Sequence, residues 1–168
     1  MLTLPEVVFT VGCPGSGKTT WALGYAERHG AALLSLDDFR RTLCGSKAAY
    51  WSTDTLKPRS AVLQGVVHDM HMAGLRSLLN RGASVVMHNT HINPESFAVE
   101  WQECIQRGIQ PRLAVFEVEL EELLRRNACR PEDDRVPDVR IAQMHVDFSA
   151  RSAWWCKPHL YGYRLRTS

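Results

Sequence analysis

Residues 12–19, Gly-Cys-Pro-Gly-Ser-Gly-Lys-Thr, meet every fixed position of the spacing G-x-x-x-x-G-K-[ST]. No other stretch constrains the fold as tightly, because the motif needs a strand before it and a helix after it. Both are legible: Val7–Val11 is an apolar run with the length of a buried strand, and 19–29 has helical spacing. Three glycines let the backbone curl so that its N–H groups converge on a polyphosphate, with the helix N-terminus adding positive potential. Lys18 is then placed to neutralise β- and γ-phosphates, and the Thr19 hydroxyl to ligate Mg²⁺. The expected nucleotide loop comprises Gly12, Cys13, Pro14, Gly15, Ser16, Gly17, Lys18, Thr19 and Thr20. This is a P-loop, and ATP with Mg²⁺ is the ligand it predicts.

A chain of 168 residues, 45% hydrophobic, suits one soluble domain over 1–168 that buries roughly 70% of its unfolded surface. The net charge of +2 excludes a global basic field, so any nucleic-acid contact must come from local clusters. Five cysteines, at 13, 44, 104, 129 and 156, include no C-x-x-C pair, and their odd number argues against a disulfide framework. With no export signal and no apolar run of membrane length, the expectation is a cytoplasmic protein with no membrane association and no obligatory protein partner.

Residues 31–36 read as the second strand, which delivers Asp37-Asp38-Phe39-Arg40-Arg41 to the edge where open α/β sheets hold their ligands. A carboxylate there suits a general base, and an arginine fork suits phosphate; capping the next helix is the plainer task for an Asp pair. Over 43–59 periodicity lapses, with Tyr50 and Trp51 beside Lys47 and Lys57 in a polar context. Two readings stay open, rings that stack on bases or rings that pin the loop to the core. A long helix over 61–81 is expected to bury Val62, Val66, Met70, Ala73 and Leu78, and its His68 and His71 read as surface histidines rather than a metal pair.

Residues 83–87 form the third predicted strand, after which Asn89, Thr90 and His91 fall beside the P-loop and Asn93-Pro94 starts a helix. The fourth strand is Arg112–Val118. Arg126 and Arg130, four apart on a helix over 119–130, precede the polar hinge 131–137. Together, 119–137 read as a lid whose arginines stabilise a phosphoryl group in transit, or as a solvated basic face. The segment 151–168 is basic and aromatic; 160–165 suits a closing strand, and the composition also suits nucleic acid.

These blocks together resemble the kinase domain of phage polynucleotide kinase-phosphatase and its P-loop relatives, over about residues 5–150. The resemblance rests on 12–22, on Asp-Asp-Phe-Arg at 37–40, on Asn-Thr-His-Ile-Asn-Pro at 89–94, on Arg-Asn-Ala-Cys-Arg at 126–130, and on Val136-Pro137. It implies that Asp37 is the general base, that Arg40 meets an acceptor-side phosphate, and that Arg126 and Arg130 are lid arginines. It also puts Asp38, Asn89, Thr90, His91, Val136 and Pro137 on the acceptor side. Three departures stand out: Asn89 replaces a family Asp, the hinge before Val136-Pro137 differs in length, and the Asp-x-Asp-Gly-Thr phosphatase signature is missing.

The reading is therefore an α/β P-loop kinase: a parallel sheet of four or five strands, helices on both faces and an arginine-bearing lid. Its expected reaction moves the ATP γ-phosphate to a nucleic-acid hydroxyl, in first place a polynucleotide 5′-hydroxyl, with DNA ahead of RNA and a phage protein in a host cytoplasm as the setting. A 5-hydroxymethyl pyrimidine in phage DNA is the first alternative acceptor. A small-molecule kinase and a non-catalytic nucleotide-binding regulator are the others.

Overall fold

Val7–Val11 is apolar at all but Thr10 and buried at every position, a pattern that a strand covered on both faces satisfies. It is β1 in a computed structural model that describes residues 5–51, 57–155 and 161–167. The chain continues through α1 (Lys18–His29), β2 (Ala32–Leu34), α2 (Leu36–Cys44), α3 (Lys47–Tyr50), α4 (Ala61–Asn80) and β3 (Val85–Met87). A 3₁₀ turn, Pro94–Phe97, leads into α5 (Ala98–Gln106), then β4 (Arg112–Val118), α6 (Leu120–Ala128), α7 (Asp138–Ala150), α8 (Ser152–Trp155) and β5 (Tyr161–Thr167).

The five strands form one sheet in the order β2-β3-β1-β4-β5, and every neighbouring pair is parallel. Alternation along β1 divides the core. Val7, Phe9 and Val11 face Leu75, Met87, Leu113 and Ile141, whereas Val8 faces Ala22, Tyr25, Val86 and Phe116 on the opposite side. One layer of helices thus lies on each face. All five strands run the same way, so their C-terminal ends share one edge, and the β1–α1 loop opens there. Among the described residues no helix is long and apolar enough to cross a membrane.

The expected elements recur with several corrections. Strand β2 stops at Leu34 rather than 36, because Ser35 takes an extended conformation and its hydroxyl accepts the Asp37 N–H, starting α2. The expected loop after residue 43 is partly helical. Gly45 ends α2 in a positive-φ conformation, and the Ser46 hydroxyl accepts the Ala49 N–H at the start of α3. The polar residues Ser52, Thr53 and Asp54 of that expected loop lie outside the described residues, as does Leu160 of the closing strand.

Helix α4 buries a different face from the one expected. Its inward row is Val67, His71, Leu75 and Leu79, while Val62 is 75% exposed. A histidine in the buried row hides the stripe from a hydrophobicity count, and α4 has apolar residues on more than one side. His71 is consequently a core residue, not a surface one.

Helix α6 ends at Ala128, so Arg130 sits in the turn beyond it and shares no helical face with Arg126. The cause is Asn127, which is 3% exposed. Its Oδ1 accepts the Val136 N–H at 3.0 Å, and its Nδ2 donates to the Val136 carbonyl at 2.7 Å and to Asp138 Oδ1 at 3.2 Å. One amide thereby folds the hinge back on α6 and sets the first turn of α7. Asn127→Ala removes the partners of the half-buried Val136 N–H and carbonyl, hydrogen bonds worth about 0.5–1.5 kcal/mol each. Urea denaturation of the purified variant is expected to show a midpoint well below wild type.

Candidate active site

Backbone geometry and hydrogen bonds fix the shape of the β1–α1 loop. Gly15 and Gly17 have φ of 89° and 93°, in the region where a side chain is strained, and a Cβ on Gly15 would come within 3.2 Å of the Leu123 carbonyl oxygen. Gly12 donates its N–H to the Thr90 carbonyl at 3.0 Å, which staples the loop to the strand end after β3. Lys18 is 8% exposed, with Nζ donating to the Cys13 carbonyl at 2.6 Å and to Ser16 Oγ at 3.2 Å. Its ammonium therefore lies over the loop backbone. Burial pushes the Cys13 thiol up to about 11 against the lowering effect of Lys18, so Cys13 is a protonated packing residue.

A cleft of about 500 Å³ opens above this loop at the sheet edge. The floor is Pro14, Gly15, Gly17, Lys18, Thr19 and Thr20; one wall carries Asp37 and Asp38 from α2 with Asn89 and Thr90; the other carries Arg126 and Arg130. A smaller cavity of about 250 Å³ shares Asp37, Asn89 and Thr90 with the first and adds Arg40, His68, His91, Ser96 and Glu100. Asp37 thus stands between two spaces.

Because Ser35 caps α2, neither carboxylate is used as a cap, and both fall in the first helical turn, where the helix dipole favours negative charge. Asp37 Oδ1 accepts from Arg40 NH1 at 2.6 Å. The same guanidinium lies 5.1 Å from the Tyr50 ring centroid and 4.9 Å from that of Trp51. Tyr50 is 2% exposed, so it is pinned to the core and holds Arg40 in place. Asp38 is the outer carboxylate, with Arg41 NH1 at 3.5 Å and His88 Nε2 at 3.7 Å. Burial lowers the His88 pKa, against the raising influence of Asp38.

On the opposite wall, Arg126 donates through Nε to Glu122 at 2.6 Å and through NH1 to the Gly15 carbonyl at 3.3 Å, reaching over the phosphate loop. Hydrogen bonds from Arg125 and Arg126 hold the Glu122 carboxyl down at about 2. Across the mouth, Arg41 NH2 meets Asp134 Oδ1 at 2.7 Å and ties α2 to the hinge.

Most of the residues singled out from the sequence converge here, but seven do not line the cleft. Arg40 lines only the smaller cavity, where its NH1 donates to Asp37. His91 is 4% exposed in a left-handed conformation with φ 44°, its Nδ1 donating to the Thr10 carbonyl at 2.8 Å. Val136 and Pro137 are absent from the lining, Val136 being engaged by Asn127. Gly12, Cys13 and Ser16 shape the loop from beneath. Arg41, Ser35, His88 and Asp134 line the cleft without having been anticipated. Arg41 carried a signal as the second arginine of the Asp-Asp-Phe-Arg-Arg block, and Asp134, with Pro131, as part of the polar hinge of the expected lid.

An oxygen donor set of the Thr19 hydroxyl with nearby Asp37 and Asp38 suits a hard cation such as Mg²⁺, which keeps most of its ligands as water and phosphate. Among the described residues no group of three His, Cys, Asp or Glu is placed to hold a metal, and His71 is turned toward Asn89 and Glu100.

Comparison with known proteins gives this arrangement a context. A structure of the Pnkp1/Rnl/Hen1 RNA repair complex matches with a TM-score of 0.74 at 22% identity, covering 92% of this chain and 47% of that one. The chain thus spans about half the length of that relative. Shikimate kinase from Acinetobacter baumannii, in complex with shikimate, matches with a TM-score of 0.60 at 19% identity, over 99% of this chain and 86% of that one. The APS kinase CysC of Mycobacterium tuberculosis, in complex with AMPPNP and APS, matches at 0.57 and 16%, over 98% and 90%. At these identities the likeness is one of fold, that of P-loop kinases. Residues 7–150 match the AAA domain family, and the chain belongs to that family.

Proposed function

We propose that the protein is an ATP-dependent phosphotransferase that acts on a hydroxyl of a nucleic acid, first of all the 5′-hydroxyl of a polynucleotide. The observation that carries this reading is the position of Asp37 on the wall common to the phosphate cleft and the smaller cavity, clamped by Arg40. A triphosphate on the loop would bring its γ-phosphorus toward a carboxylate whose other side is open to an acceptor. Oδ of Asp37 takes the acceptor proton as the hydroxyl oxygen bonds to phosphorus, and the bond to the ADP oxygen breaks in line.

In this scheme Lys18 leaves the Cys13 carbonyl for the β- and γ-phosphates. Arg126 and Arg130 face the same space and stabilise charge on the phosphoryl group in transit, so 119–137 acts as the lid. Thr19 would hold Mg²⁺, which supplies charge neutralisation on the phosphates when bound. Arg40 is assigned to Asp37 rather than to an acceptor phosphate.

A small hydroxyl compound is the second reading. It is favoured by the modest volume beside Asp37, about 250 Å³, and by neighbours such as the shikimate and APS kinases. The sequence reading put DNA ahead of RNA, whereas one neighbour belongs to an RNA repair complex, so oligonucleotides of both sugars belong in the test.

Lys18→Ala is expected to abolish transfer with the fold kept, seen as lost label transfer from ATP alongside an unchanged circular dichroism spectrum. Asp37→Asn should lower turnover by about 10²–10⁴-fold with little effect on ATP affinity, and Asp38→Asn should be milder. Equal damage from both would place the base wrongly. For Arg126→Ala, kcat is expected to fall more than ATP binding weakens; parallel losses would assign it to ground-state binding.

Labelled ATP offered with 5′-hydroxyl DNA and RNA oligonucleotides, and separately with circular DNA containing 5-hydroxymethyluracil, tests the acceptor. Label on the oligonucleotides supports the proposal. Label on the circle alone transfers the assignment to the base hydroxymethyl group, since a circle has no end.

A further inference from the structure

Along the wall shared by the two cavities runs a largely buried polar chain that the proposed reaction does not use. The Leu36 N–H, in the first turn of α2, is accepted by Asn89 Oδ1 at 2.9 Å. A backbone N–H only donates, so this contact identifies which amide atom of Asn89 is oxygen. The amide nitrogen Nδ2 then faces His71 Nε2 and His91 Nε2, each at 3.4 Å. An amide nitrogen carries two N–H groups and accepts nothing, so both imidazole Nε2 atoms must be acceptors, and the proton of each ring sits on Nδ1.

The far ends agree with that assignment. His91 Nδ1 donates to the Thr10 carbonyl at 2.8 Å, and His71 Nδ1 faces Glu100 Oε1 at 3.4 Å. His71 is fully buried, and His91 and Glu100 are each 4% exposed. Burial lowers the His91 pKa to about 4, which keeps the ring neutral, while for Glu100 burial is the largest single influence and raises the pKa, but the backbone, His71 and His91 together hold the carboxyl below its usual range. The segment bearing Asn89 is itself anchored, Thr10 Oγ1 donating to the Asn89 carbonyl at 2.9 Å.

We infer that Asn89 is a positioning residue for Asp37: its carboxamide fixes the start of α2 against β1, α4 and α5, using one oxygen acceptor and two N–H donors at once. The inference rests on the reading of Asp37 as the base. It also accounts for Asn rather than Asp at this position. A carboxylate here would offer the two imidazoles no donor, and each ring would need a proton on Nε2, either moved from Nδ1 with loss of Thr10 or Glu100 or gained by becoming charged.

The test begins with the wild-type protein labelled with ¹⁵N in histidine. At neutral pH, His71 and His91 should both be neutral Nδ1–H tautomers, and the Leu36 amide should be protected from hydrogen exchange. In the isosteric variant Asn89→Asp, both rings should leave that tautomer. With a 5′-hydroxyl oligonucleotide and ATP, kcat should fall about 10²-fold, the scale of a base displaced by about 1 Å, with the KM for ATP little changed. In Asn89→Ala, Leu36 should lose its protection.

Nε2–H tautomers in the wild type, or a kcat for Asn89→Asp equal to wild type, would overturn the inference, as would an ATP KM that rises in step with the fall in kcat. If Asp37→Asn keeps full activity, the assignment of the base falls instead, while the tautomers still report the clamp. If wild type labels no oligonucleotide, the acceptor reading fails and the clamp is judged on the tautomers and Leu36 protection.

Discussion

The burial of β1 on both faces governs the rest of the molecule. A strand with water on neither side must be flanked by strands and covered by helices above and below, and a parallel sheet is the arrangement in which helical crossovers provide that cover. Once all strands run the same way, their C-terminal ends and the loops that follow share one edge. The phosphate loop after β1, the Asp-bearing turn after β2, the Asn89 segment after β3 and the arginine helix after β4 meet there for this reason, although residues 12 and 130 lie far apart in the chain.

Within that edge, the charged groups are mutually restrained rather than freely solvated. Arg40 binds Asp37 while lying against Tyr50 and Trp51, Arg126 is shared between Glu122 and the Gly15 carbonyl, and Lys18 rests on the Cys13 carbonyl. Pairing of this kind reduces the reorganisation a site must undergo when charge develops, which is where electrostatic catalysis gains most. In the proposed reaction Lys18 and Arg126 would each exchange a protein partner for a phosphate. Arg41 with Asp134 spans the cleft mouth in the same way, joining α2 to the hinge.

Two side-chain amides set the angles between the pieces. Asn127 binds both backbone groups of Val136 and thereby decides where α6 ends and α7 begins. Asn89 connects Leu36 with two core histidines. Each uses the ability of one carboxamide to accept and donate at once, which neither an aspartate nor an apolar residue reproduces.

The fold class and the nucleotide loop were legible from local pattern alone, because a glycine-lysine-threonine spacing, an apolar run and a helical period are properties of neighbouring residues. Arg112–Val118 and the Asn93-Pro94 cap were readable for the same reason. What local pattern cannot hold is the partner of a polar side chain. The inward face of α4 was misplaced because His71 reads as polar until Asn89 and Glu100 supply its partners, and Arg40 read as a ligand contact until Asp37, Tyr50 and Trp51 enclosed it. Arg130 was placed on a helix whose end is decided by a bond from Asn127 to a residue nine positions on. By itself the sequence determined that a phosphate loop would stand at the edge of a parallel α/β sheet. Which charges face that loop and which are spent on one another was decided only in three dimensions, since burial and pairing across distant segments set the free energy of a charged group far more than its neighbours in the chain do.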